Sequence, residues 1–138
     1  QLMTTVFEHR MGGQPQSPER IDALATWLDQ VPRVAPGGGD AAAIARGKAL
    51  FEDEKVACAS CHSGPRLTND RTMDVGTGKA FQVPSLVGVR DRAPYMHDGC
   101  AETLRARFNS TCGGTDHGDV SGLDDGQLDD LVAYMRSL

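Results

Sequence analysis

Cys58-Ala59-Ser60-Cys61-His62 brings two thiols and an imidazole into one short stretch of the chain. Thiols three positions apart lie a little under one helical turn from each other and project to the same side. That spacing suits addition of each sulfur to one vinyl group of a porphyrin. His62 then stands where a ring nitrogen reaches the iron. C-x-x-C-H is the attachment pattern of a c-type haem. Two other chemistries use similar residues. A structural zinc site calls for paired ligands at knuckle spacing, whereas Cys100 and Cys112 stand twelve positions apart and no H-x-x-x-H follows. A thioredoxin-like redox pair needs a βαβ context, which the surrounding pattern lacks. Neither alternative requires the adjacent histidine, so the expectation is one covalent haem c held by Cys58, Cys61 and His62.

Composition agrees with a cofactor-dependent core. Of 138 residues, 39% are hydrophobic and only 5% aromatic, a thin stock of apolar surface that a porphyrin would supplement. The net charge of −5 argues against nucleic acid and against an anionic membrane surface. No apolar run reaches spanning length and no signal peptide is visible. The first residue is Gln1 rather than methionine, which reads as a processed or excised piece of a longer protein. Covalent haem attachment takes place outside the cytoplasm in bacteria, so the motif implies a periplasmic or other extracytoplasmic location. The two further cysteines fit an oxidising compartment.

The elements that must position these residues are short. Residues 1–16 are polar and marked by glycine, with Phe7, His9 and Met11 as loose anchors. Ser17-Pro18-Glu19 is a helix start, with a side-chain cap, proline at the first position and an acid in the first turn. Ile21, Leu24, Ala25, Leu28 and Val31 follow at helical spacing up to Pro32. Pro36 to Gly39 reads as a linker. Asp40 caps a second predicted helix over 41–53 with Ile44, Leu50 and Phe51 inward. Ser63 to Lys79 is predicted as an irregular loop over a haem edge, and Phe81 to Gly99, broken by Pro84 and Pro94, as a wrap around the haem. A short helix is predicted over 101–109, burying Leu104 and Phe108. Cys112 to Gly122 is a further glycine-rich loop. The last predicted helix, 124–137, starts at Asp124 or Asp125 and turns Leu128, Leu131, Val132 and Met135 to one side. The chain is thus divided into an N-terminal extension with linker, 1–35, and a haem domain, 36–138.

Ile21 to Leu28 lines up with Leu128 to Met135, with apolar, acidic and aromatic positions coinciding. Two amphipathic helices often look alike. The alternative is that residues 1–31 are the tail of a preceding domain of the same type, carrying its own haem.

From Ala45 onward the sequence resembles the C-terminal haem domain of the bacterial dihaem cytochrome c peroxidase and MauG-type family. The matching stretches are Gly47-Lys48-Ala49-Leu50-Phe51, Val83-Pro84-Ser85-Leu86, Pro94-Tyr95-Met96-His97-Asp98-Gly99, Thr103-Leu104 and Leu128 to Leu138, in the family's order. The resemblance implies an all-α, cytochrome c-like fold with several short helices and long loops around one covalent haem. It also implies electron transfer or peroxide-linked redox chemistry. Two departures stand out. The family's C-terminal haem is completed by Met, or in MauG by Tyr, at about Thr111, where this chain has neither. Only one haem motif is present.

Iron in an electron-transfer cytochrome normally has two axial side chains. Met73 comes too soon after His62 to cross the haem. Met96 follows a proline-containing loop as in small class I cytochromes c, although the matching family position is often Phe. His97 reads as a hydrogen-bonding histidine. His117 lies among Gly113, Gly114 and Gly118, near the family's ligand loop, and glycines allow close approach to a porphyrin. A surface histidine is the plain alternative. The expected sixth ligand is His117, with Met96 second. Cys112 is expected to pair with Cys100 in a disulfide contributing about 2–3 kcal/mol by loop closure, rather than to ligate as thiolate. Arg90, Arg92, Arg105 and Arg107 are candidate partners for haem propionates, against solvated surface.

The function expected is single-electron transfer to a redox partner protein or a second haem domain. The alternative is one half of a dihaem peroxidase or MauG-like oxidase whose catalytic haem lies outside this chain. No catalytic acid–base pair is identified.

Overall fold

The computed structural model describes residues 2–32, 34–112 and 114–138; Gly113, part of the glycine-rich loop above, lies outside them. The chain divides into two compact units, Gln1–Arg33 and Val34–Leu138.

In the first unit, α1 (Leu2–Thr5) runs into a single π-helical turn, Val6–Arg10. This start is more ordered than its polar composition suggests. The next helix, α2 (Pro18–Gln30), begins as its sequence dictates: the Ser17 hydroxyl accepts from the Arg20 N–H at 3.4 Å. Its apolar positions are not buried, and Trp27 and Leu28 keep 62% and 49% of their exposure.

In the second unit, Asp40 caps α3 (Ala41–Glu52) by accepting from the Ala42 N–H at 3.0 Å. A full capping box starts α4 (Asp125–Ser137). There Asp124 accepts from the Gln127 N–H at 2.8 Å, and the Gln127 side chain accepts from the Asp124 N–H at 3.0 Å. These two helices pack on each other. Phe51 meets Tyr134 edge to face at 5.2 Å, and Leu131 is fully buried. Burying a leucine of that size contributes about 1.5–3 kcal/mol. The close approach depends on Gly47, where a Cβ would overlap the Asp130 carbonyl oxygen and stand 2.9 Å from Tyr134 Cβ. Beside it, the Arg46 guanidinium donates to both Asp130 carboxylate oxygens, at 2.6 and 2.8 Å. The other side of α4 presents Met135, which packs with Val89 and Leu104 in a second small cluster.

Around this helix pair the chain is mostly turns. Thr72–Met73 (β1) and Phe81–Gln82 (β2) form a two-stranded antiparallel ladder inside the predicted loops. Single 3-10 turns occur at Cys58–Ser60, Val89–Asp91 and Ala106–Phe108. The last of these replaces the helix predicted over 101–109. Ala101 is already committed to a bridge, giving and taking backbone hydrogen bonds with Tyr95 at 3.3 and 2.7 Å. The backbone at Asn109 is extended and ends the turn. Leu104 is nevertheless buried as expected. Nor does the predicted linker run free: the Gly37 N–H donates to the Ser137 carbonyl at 3.1 Å, docking it on the last turn of α4. No helix among the described residues is long and apolar enough to cross a membrane. The fold is the all-α, loop-rich arrangement expected.

Candidate haem site

The attachment motif hangs directly below α3. Ala57 takes a left-handed conformation, φ +62°, and turns the chain into the 3-10 turn that carries Cys58. The His62 N–H closes the motif on the Cys58 carbonyl at 3.0 Å. Neither Cys58 nor Cys61 is in a disulfide, and both are partly exposed. Burial pushes the Cys58 thiol up, with the nearby Arg107 charge opposing.

Among the described residues His62 is one of two buried polar or charged side chains, at 8% exposure. Its Nδ1 lies 3.2 Å from the Leu67 carbonyl. A ring N–H donated to a carbonyl fixes the tautomer and leaves Nε2 free, the usual arrangement of a metal-binding imidazole. Burial pulls its pKa down, opposed by the backbone at Leu67 and Pro84.

His117 reaches the same place from the loop before α4. The Asp119 N–H donates to the Val56 carbonyl at 3.2 Å. Gly118 has φ +83°, and a Cβ there would stand 3.1 Å from that carbonyl and 3.4 Å from Cys58 Sγ. The loop is therefore seated on the attachment motif at a point where only glycine fits well. The His62 and His117 ring centroids are 6.1 Å apart, with planes inclined by 36°. Two metal–imidazole bonds of about 2 Å each, plus the half-width of each ring, bring centroids to roughly this separation. Burial, then the Arg107 charge, then His62 lower the His117 pKa to about 4. Both rings are thereby favoured in the neutral form that has a lone pair to offer.

Two buried side-chain atoms have no hydrogen-bond partner among the described residues: Arg107 Nη1 and His117 Nδ1. A polar cofactor between the two histidines fits this deficit, and the thiols, imidazoles and cation together suit a haem.

Met96, with φ +71°, borders a hollow lined also by Thr77, His97, Cys100 and Cys112. His97, expected to make a hydrogen bond, instead stacks on Phe81 with centroids 4.3 Å apart. Met73 sits in β1 at 40% exposure. Cys100 and Cys112 have Cα atoms 5.9 Å apart, within disulfide reach. Arg90 pairs with Asp91, and Arg105 with Asp125 and Asp129, while Arg92 donates to the Ser85 carbonyl. Arg107 alone of the four predicted arginines is buried. Sequence reading did not separate it from the other three. It also missed the Leu67 carbonyl, and of the glycines flanking His117 it did not single out Gly118 as the one that makes the close approach.

Helix pair, attachment turn and two neighbouring imidazoles fit a haem-binding class, and the chain belongs to the cytochrome c family, whose pattern matches residues 44–138. It is 29% identical to the gamma subunit of hydrazine synthase from Kuenenia stuttgartiensis, over 88% of this chain and 50% of that one. It is 34% identical to the methylamine utilization protein MauG of Methylorubrum extorquens, over 72% of this chain and 36% of that one. The resemblance to MauG-type proteins is thus found. Among solved structures, Kuenenia stuttgartiensis hydrazine synthase pressurised with xenon superimposes with a TM-score of 0.84 at 25% identity, covering 99% of this chain and 60% of that one. The chain spans half or less of the length of these curated relatives. Family membership implies covalently bound haem c.

Proposed function

We propose that this chain is a monohaem electron-transfer module whose iron is held between His62 and His117. The observation that carries the reading is the 6.1 Å separation of the two ring centroids, with one ring oriented by Leu67. The haem supplies a one-electron iron couple. Cys58 and Cys61 would tether it, His62 and His117 would hold its iron, and Phe51, Val56, Val120 and Leu131 form the dry wall behind the motif. With two imidazoles holding the iron, little room would remain there for a substrate, which favours electron relay over catalysis at this centre. Imidazole in place of methionine lowers the reduction potential. Cys100 and Cys112 form a disulfide at the base of the His117 loop. Attachment chemistry and disulfide both favour an extracytoplasmic compartment.

The module's partner is a redox protein or a second haem domain. The latter has a specific support. Both α2 and α4 are 13 residues long, and each has its cap side chain accepting from the third helical N–H. At a constant offset, Ser17 matches Asp124, Leu24 matches Leu131, Trp27 matches Tyr134 and Leu28 matches Met135. By this reading residues 1–35 close a preceding haem domain, and the parent chain is a dihaem oxidoreductase related to the two relatives above.

Optical and electron paramagnetic resonance spectra of the haem-loaded chain test the axial pair. A low-spin ferric form without the far-red methionine-to-iron band is expected, turning high-spin in His117→Ala. A methionine band in the native protein, or an unchanged spectrum in His117→Ala, sinks the pair.

A further inference from the structure

The carbonyl that orients His62 belongs to a residue in an unfavourable conformation. Leu67 takes φ +51°, a left-handed backbone that leucine rarely adopts. Unlike Asn or Asp, it has no polar side chain to compensate locally. Such a residue persists only where its surroundings over-determine it. The peptide ahead of Leu67 is held at both ends: its N–H donates to the Gly64 carbonyl at 3.0 Å, and the Arg66 carbonyl accepts from the Ser85 hydroxyl at 2.6 Å. The peptide behind it is held likewise. The Thr68 N–H donates to the Ser63 carbonyl at 2.9 Å, and the Leu67 carbonyl stands 3.2 Å from His62 Nδ1. The Thr68 hydroxyl then donates to the Val83 carbonyl at 2.6 Å. The backbone bonds to Ser63 and Gly64 suffice to close the turn. The two hydroxyl bonds reach 19 and 15 positions along the chain, so they fix where the turn sits rather than that it forms. Their far side is itself anchored: Val83 is buried, its N–H donates to the Arg71 carbonyl at 2.8 Å, and the Arg92 guanidinium donates to the Ser85 carbonyl.

We propose that Ser85 and Thr68 are positioning residues for His62: their hydroxyls hold the Leu67 peptide in place, so that its carbonyl stays on Nδ1 and the other ring nitrogen stays aimed at the iron. This rests on His62 as haem ligand in the reading above and deepens it. A carbonyl can only accept, so the His62 nitrogen beside it carries the proton. That hydrogen bond makes the imidazole a stronger donor to the metal, which favours the ferric state and lowers the reduction potential. Loosening the peptide weakens the bond, frees the ring and raises the potential. Both hydroxyls act through the Leu67 peptide, each bonded to a backbone carbonyl rather than to the ring.

The test uses the haem-loaded full chain. Solvent exchange of the His62 Nδ1–H is read by NMR in the ferrous state, and the potential in a spectroelectrochemical cell. Thr68→Val combined with Ser85→Ala should speed that exchange by roughly tenfold, the loss of about one hydrogen bond, and raise the potential. Thr68→Ser combined with Ser85→Thr keeps both hydroxyls and should return both readouts towards native values. Ser137→Ala removes a hydroxyl-to-carbonyl bond of the same 2.6 Å length in α4 and should change neither. A low-spin Thr68→Val, Ser85→Ala protein that matches the native one in either readout overturns the proposal. Should that variant fail to load, hydrogen exchange at the Leu67 and Thr68 amides of the native protein decides. Protection comparable to that of α3 is expected, and exchange as fast as in an open loop overturns the proposal. The native spin state is read first. A high-spin form dismisses His117 as sixth ligand and leaves the potential to judge Ser85 and Thr68, so the two failures are distinguishable.

Discussion

Gly47 of α3 lies against the main-chain carbonyl of Asp130 in α4, with no room for a side-chain atom between them. Alanine there gains about 1 kcal/mol of helix propensity. It also forces a methyl group onto a backbone atom that cannot rotate away. Overpacking of this kind costs about 1–3 kcal/mol, and contact with backbone puts Gly47→Ala at the upper end. Net destabilisation is expected in chemical denaturation. A variant as stable as the native protein would show that the helices separate easily.

Next to that contact, the Arg46 hydrogen bonds hold the Asp130 carboxyl below its ordinary range. A carboxylate with a depressed native pKa stabilises the fold above its unfolded pKa, about 3.9, and loses that contribution as pH falls through the native value. The stability difference between native protein and Arg46→Gln should therefore be constant above about pH 5 and shrink in acid. Arg46 is largely exposed, so the difference is small and falls with salt. A difference that grows towards low pH would contradict the assignment.

Gly118 offers a sharper test of the loop. Alanine must adopt φ +83° there and press on the Val56 carbonyl and Cys58 Sγ. The backbone conformation alone costs about 1–2 kcal/mol. Gly118→Ala should yield less haem-loaded protein and a larger high-spin fraction. Normal loading with a native spectrum would mean that the loop does not need to sit this close.

Replacing both Cys100 and Cys112 by serine should lower stability by about 3 kcal/mol, the loop-closure value for a separation of twelve residues. Mass analysis of the native protein without reductant should find no free thiol after haem attachment. Two free thiols would remove the disulfide and this stability effect together.

What the sequence revealed follows from the range of the forces involved. Ser17, Asp40 and Asp124 announced their helices because a cap is a contact with a residue two or three positions away. Cys58, Cys61 and His62 were legible for the same reason. The predicted helix at 101–109 shows where local reading stops. Its apolar spacing was right for Leu104, but the bridge between Ala101 and Tyr95 used the backbone groups that a first helical turn needs. Arg107 was one arginine among four until the surrounding packing singled it out. His97 illustrates another limit, since stacking on Phe81 depends on the β1–β2 turn and has no sequence signature.

The Val56 carbonyl, six residues before His62, receives the N–H of Asp119, two residues beyond His117. The two imidazoles are thus moored to a common post. That hydrogen bond ties the loop of His117 to the segment leading into the attachment motif, so a displacement of either is resisted by the other. If the two imidazoles hold the iron as proposed, a shared anchor would keep the reorganisation on each electron hop small. The pace of transfer would then be governed by distance to the next centre rather than by rearrangement of this one.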